Sequence, residues 1–134
     1  MVRCWGGGYY EDNYFYDRCD ELGILIWQDF MEACGLYPEN REFLQSFEEE
    51  VTYQVRRLRQ HPCIALWSGD NENDSCYGWS TNYRLDPNQN LNTRAVIPQV
   101  LRMNDYIRDY LPSPPYMDET AYLSQKGDSH LPEQ

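Results

Sequence analysis

The sequence predicts an α/β fold with parallel strands, and three observations predict it. Two short runs of β-type apolar residues, Ile24-Leu25-Ile26-Trp27 and Ile64-Ala65-Leu66-Trp67, are separated by segments of helical periodicity, the alternation that parallel strands with crossover helices require. Both runs are too short for helices and are bounded by turn formers, Gly23 before the first and Ser68-Gly69 after the second. The longest periodic segment carries Phe43, Phe47, Val51, Val55 and Leu58 on one stripe, which needs a sheet or another helix to cover it.

Taken in order, Val2 to Trp5 is too short to be assigned as a strand alone. Gly6-Gly7-Gly8 after it lets the backbone turn tightly or approach a ligand closely. Neither phosphate-loop glycine pattern is present. Glu11 to Leu22 reads as a helix, with Phe15, Cys19 and Leu22 on one face and Gly23 as its stop. Ile24 to Trp27 is the next strand, ended by Gln28-Asp29-Phe30, and Glu32 falls in the loop beyond. Pro38-Glu39-Asn40 opens the long helix, which closes before His61-Pro62; a lone histidine at a helix end reads as structural. After the Ile64 to Trp67 strand, residues 75–92 are polar and read as a long loop on the active-site side. A further helix is expected with Val96, Val100, Met103, Ile107 and Leu111 on one face and Pro98 in its first turn. Pro112-Ser113-Pro114-Pro115 ends it, and residues 112–134 are weakly patterned.

Composition narrows the partners. Eleven basic against twenty-two acidic side chains give a net charge of −11, which repels nucleic acid and anionic membranes. Aromatic residues make up 15%, and aromatic faces with carboxylates and amides suit a neutral sugar, which offers C–H faces and hydroxyls. Cys4, Cys19, Cys34, Cys63 and Cys76 are odd in number and contain no C-x-x-C pair, so they read mostly as reduced, buried thiols. No cofactor or metal is expected.

The most informative stretch is HPCIALWSGDNEND, His61 to Asp74. Past the buried strand, Asp70, Asn71, Glu72, Asn73 and Asp74 place three carboxylates and two amides at a strand's carboxyl end, where parallel α/β folds assemble their sites. Glu72, beside a buried strand end and other acids, is the candidate general acid, since desolvation and like charge both favour a held proton. A solvated acidic turn capping the next helix is the plainer alternative. Asp29 stands at the carboxyl end of the neighbouring strand, so the two acids would face one site; alternatively Asp29 holds its loop by accepting backbone N–H bonds.

HPCIALWSGDNEN, together with RCWGGGYYED (Arg3 to Asp12) and CDELGILIWQDFMEACGLYPE (Cys19 to Glu39), resembles the catalytic barrel of β-mannosidases in glycoside hydrolase family 2. The three motifs stand in the family's order and cover about the first half of the chain; YLPSPPY at Tyr110 to Tyr116 and GDSH at Gly127 to His130 resemble later strand ends more loosely. The resemblance implies a partial (β/α)8 barrel from about the second to the sixth strand, with residues 1–134 forming a single partial catalytic domain. A complete barrel takes about 250 residues, so the remaining domains of a parent chain are expected partners.

The activity implied is that of a retaining exo-β-glycosidase hydrolysing terminal β-D-mannose from glycosides. Glu72 would be its acid/base, Asn71 and Asp29 would bind sugar hydroxyls, Trp5 and Trp79 would line the pocket, and His130 would approach the site. Trp5 could equally be a barrel-core aromatic. The nucleophile, a glutamate at the family's seventh strand, is not in this chain. Where the family commonly has Asn-Asn-Glu, this chain has Asp70-Asn71-Glu72. The alternatives are a non-catalytic carbohydrate-binding or truncated fragment, or a family 2 glycosidase for β-galactosides or β-glucuronides.

Overall fold

The computed structural model describes residues 1–79 and 85–117. Four parallel strands, β1 (Val2–Cys4), β2 (Ile26–Asp29), β3 (Ile64–Ser68) and β4 (Asp109–Leu111), lie in one sheet in sequential order. Between them run α1 (Asn13–Leu22), α2 (Arg41–Leu58), α3 (Asn73–Trp79), a π-turn (Asn92–Val96) and α4 (Ile97–Asn104). Parallel neighbours in sequential order need crossover connections, as a rule right-handed, which is consistent with part of a barrel.

The caps explain the boundaries. Asp12 accepts from the Phe15 amide at 3.0 Å, so α1 begins at Asn13 and not at Glu11; Gly23, at φ 66°, ends it in the left-handed region. Asn40 caps α2 in the same way, accepting from the Phe43 amide at 2.9 Å. The α2 stripe is as expected, with Phe47, Val51, Val55 and Leu58 buried. Burying each such side chain contributes roughly 1.5–3 kcal/mol. They join Tyr16 and Cys19 of α1, Ile26, Ile64 and Trp67 of the sheet, and Ile97, Val100 and Leu101 of α4 in one core.

Four expectations are corrected. Val2–Cys4 is a strand, because β2 supplies the pairing partner that three residues lack alone. The second strand is Ile26–Asp29, two residues later than the apolar run, so Asp29 lies within it. The span 75–92 is not all loop: α3 occupies its start, and a 3-10 turn covers Pro87–Gln89. The fourth helix stops at Asn104, with Met103 and Ile107 exposed at 78% and 74%, and the chain turns to lay β4 beside β3. The apolar period there was coincidental. Asp105 ends that helix by accepting from Trp67 Nε1 at 2.9 Å and from Arg108, a pairing that helical spacing does not show.

At the amino-terminal rim, Arg108 donates to the carbonyls of Ile64 (2.7 Å), Arg59 (2.8 Å) and His61 (2.9 Å), closing the end of α2. His61 is buried there, its Nδ1 2.7 Å from Asp20 Oδ2, in the structural role its position predicted. Cys4, Cys19 and Cys63 are buried free thiols, Cys34 is exposed and Cys76 is half-buried. No helix among the described residues is long and apolar enough to cross a membrane.

Candidate active site

In a parallel sheet alternate residues share a face. Arg3 stands opposite Trp27 in the β1–β2 register, and Asp29 lies two residues beyond Trp27, so all three project from the face away from the helices. Arg3 grips Asp29 through Nε (3.1 Å) and Nη2 (2.7 Å) and sits 5.2 Å over the Trp27 ring. The Asp29 carboxylate is fully buried and also accepts from Trp27 Nε1 at 2.9 Å and from the Gly6 amide at 3.0 Å. It therefore fixes the glycine turn, as its plainer reading anticipated, while standing on the carboxyl rim.

That turn tolerates only glycine at its centre. A Cβ on Gly6 would lie 2.5 Å from the Glu32 carbonyl oxygen and 2.6 Å from that of Phe30. Trp5, immediately before it, is 51% exposed and covers Gly7 with its ring.

From Arg3 the network crosses to the acidic turn. Arg3 Nη2 donates to Asn71 Oδ1 at 3.1 Å, Asn71 Nδ2 donates to Cys34 Sγ at 3.3 Å, and the Cys34 thiol donates to Glu72 Oε2 at 3.5 Å. Asp29, Asn71 and Glu72 are thus brought onto one rim, linked by Arg3 and Cys34. Glu72 is half-buried, neither enclosed nor free in solvent.

The backbone around Glu72 is tightly specified. A single parallel bridge joins Ala33 to Asn71: the Asn71 amide donates to the Glu32 carbonyl at 2.9 Å and the Cys34 amide to the Asn71 carbonyl at 2.7 Å. The Glu72 amide reaches the Pro114 carbonyl at 3.2 Å. Glu72 and Cys34, which face each other, are the two described non-glycine residues at positive φ, 63° and 51°. Such backbone costs on the order of 1–3 kcal/mol and persists where its surroundings impose it, often at functional sites.

Beneath Glu72 lies a layer of buried polar side chains. Glu32 is 1% exposed and accepts from Asn92 Nδ2 at 2.7 Å and Asn73 Nδ2 at 3.2 Å. Burial, reinforced by the charge of Asp70, pushes its carboxyl up to about 8. Asp70 is fully buried and bonded to Ser113 Oγ (2.5 Å) and the Asn73 amide (3.2 Å); burial outweighs those bonds and raises it to about 7. Asp74 pairs with Arg94 at 2.6 Å and is also raised by burial. Near the rim, burial raises the carboxyls of Glu32 and Asp70 the furthest.

Trp79 closes α3, but its side chain lies outside the described residues, as does His130 entirely. Sequence reading missed Arg3, Glu32, Cys34 and Asn73. For Glu32 a signal existed: an acid within the otherwise apolar Phe30-Met31-Glu32-Ala33-Cys34.

No family model matches the chain. Among curated proteins, a β-mannosidase from Bos taurus is 60% identical over 133 residues, 98% of this chain and 13% of that protein. A β-mannosidase B from Neosartorya fischeri is 43% identical over 143 residues, 97% of this chain and 17% of that protein. The crystal structure of a β-D-mannosidase from Dictyoglomus thermophilum matches with a TM-score of 0.77 and 39% identity, over 90% of this chain and 15% of that one. In sequence over nearly its whole length, and in fold, the chain belongs with the β-mannosidases, of whose length it spans 13% to 17%.

Proposed function

We propose that the protein of which this chain is a segment is a retaining exo-β-glycosidase that removes terminal β-mannose, and that its (β/α)8 barrel is completed by the rest of that protein. One observation carries the reading: Glu72 projects half-buried on the strand-end rim shared with Asp29, Arg3 and Asn71, in a chain homologous to β-mannosidases.

In this reading Glu72 protonates the glycosidic oxygen as it leaves. It then takes a proton from the water that releases the sugar from a nucleophilic carboxylate on a strand outside this chain. Retention places those two carboxyl groups about 5–5.5 Å apart. Asn71, held by Arg3, offers its amide to the 2-hydroxyl, where contacts strengthen in the transition state. Asp29 binds a sugar hydroxyl or, with its oxygens engaged by Arg3, Trp27 and Gly6, orients Arg3 and the glycine turn toward the sugar. Trp5 supplies an exposed aromatic wall, and Trp79 and His130 would complete the pocket.

The test is Glu72→Ala in the full-length protein. Hydrolysis of a β-mannoside with a poor leaving group should fall by about 10²–10⁴-fold, the usual contribution of general acid–base catalysis. A dinitrophenyl β-mannoside, needing no acid, should still mannosylate the enzyme, and added azide should then be trapped as the β-configured mannosyl azide. An unaltered rate in the variant, or trapping of the α-azide, would refute the assignment. Comparing β-mannosides with β-galactosides and β-glucuronides decides the sugar. A full-length protein binding mannosides without turning any over would favour the non-catalytic alternative.

A further inference from the structure

We propose that Glu32 is a positioning residue for Glu72, pinning the two residues that flank it. Its backbone carbonyl holds the Asn71 amide, and its side chain holds the Asn73 amide group at 3.2 Å; Asn73 Oδ1 in turn accepts from the Gly35 amide at 3.3 Å. Glu72 lies between the pinned residues in left-handed backbone, a conformation that its own sequence does not favour. No other side chain among the described residues joins the loop after β2, the start of α3 and the π-turn at once.

The geometry also places a proton there. The titratable groups whose charge acts on Glu32, or on which Glu32 acts, are acids and phenols: Asp70 after β3, Glu39 before α2, Glu50 on α2, Tyr77 on α3 and Tyr110 on β4. The cation of this layer, Arg94, is engaged by Asp74. An ionised Glu32 would therefore sit buried with no cation among the described residues paired to it, which is costly. Asn92 Oδ1 is buried without a donor. Turning that amide over would bring Oδ1 to the 2.7 Å contact with Glu32 Oε1, where a carboxyl O–H fills it, while the other Glu32 oxygen still accepts from Asn73. A neutral acid thus gives the Asn92 oxygen a donor and keeps the Asn73 contact; the raised affinity for its proton is in keeping with this.

This inference rests on the proposed role of Glu72, and the test separates the two. In the full-length protein, Glu32→Gln keeps one acceptor and one donor, whereas Glu32→Leu keeps neither. Amide exchange in the peptide covering residues 70–76, read by mass spectrometry, should match the unaltered protein in the first variant and be about tenfold faster in the second. In parallel, with the dinitrophenyl β-mannoside, whose departure needs no proton from Glu72, the unaltered enzyme should lose kcat as pH rises through about 8, and Glu32→Gln should lack that alkaline limb. Unchanged exchange in Glu32→Leu, or an alkaline limb that persists in Glu32→Gln, would overturn the proposal. If the full-length protein hydrolyses no β-mannoside, the proposed function fails, and the exchange result alone decides whether Glu32 holds the turn.

Discussion

Glu32 and Asp70 are acids that the fold keeps from water, and their titration has a defined sign. In the folded chain their carboxyls are raised to about 8 and about 7 from ordinary values of 4.5 and 3.8. The folded state therefore binds more protons than the unfolded state between those values. The stability they contribute is complete below about pH 4 and is lost as pH rises through about 7 to 8. Melting followed by circular dichroism should give a midpoint that declines between pH 5 and pH 8, with a shallower decline in Glu32→Gln. A midpoint that rises over that range would show that these acids ionise freely in the fold. Neither residue's role was legible in sequence. Burial of Glu32 depends on Asn92, sixty residues away along the chain, and that of Asp70 on Ser113. The placement of Glu72 and Asn71 on the rim was legible because an acidic turn directly follows an apolar run, a local pattern that marks a strand's carboxyl end.

Among the elements, α2 is the most fully specified by local rules. Its cap, stripe and stop all agree, and only the cap is exposed to simple removal. Replacing Asn40 by alanine should lower unfolding free energy by about 1 kcal/mol, measured by urea denaturation, because the Phe43 amide loses its acceptor. A change within error would mean that water replaces the cap at no cost. The short strands were the least legible elements. β1 and β4 have three residues each, and their strand character comes from partners rather than from propensity. The same cause explains the misread end of α4, where pairing with β3 and the Asp105 contacts override an apolar period.

For the molecule as a whole, sequential parallel order leaves β1 and β4 as open edges among the described residues. Open edges template pairing with other chains unless something covers them. The isolated 134-residue chain should therefore sediment as a mixture of associated species and should release no mannose from a β-mannoside, since the proposed nucleophile lies elsewhere. A monodisperse monomer would show that its edges are protected, and turnover abolished by Glu72→Ala would mean that a carboxylate within the chain serves as nucleophile. The alternation of strand and helix, and with it the parallel sheet, was readable from apolar periodicity alone. The polar layer beneath the rim was not, because it is assembled from four separated segments.

Arg108 divides labour between the two ends of the sheet. One guanidinium ties off the loose carbonyls at the amino-terminal end of β3 and fastens β4's approach there, so that end acts as the clamp. At the opposite end a second guanidinium, that of Arg3, joins the tip of β2 to the turn after β3. Sequence drift in the rim turns can retune what they touch while the clamp keeps the frame in place.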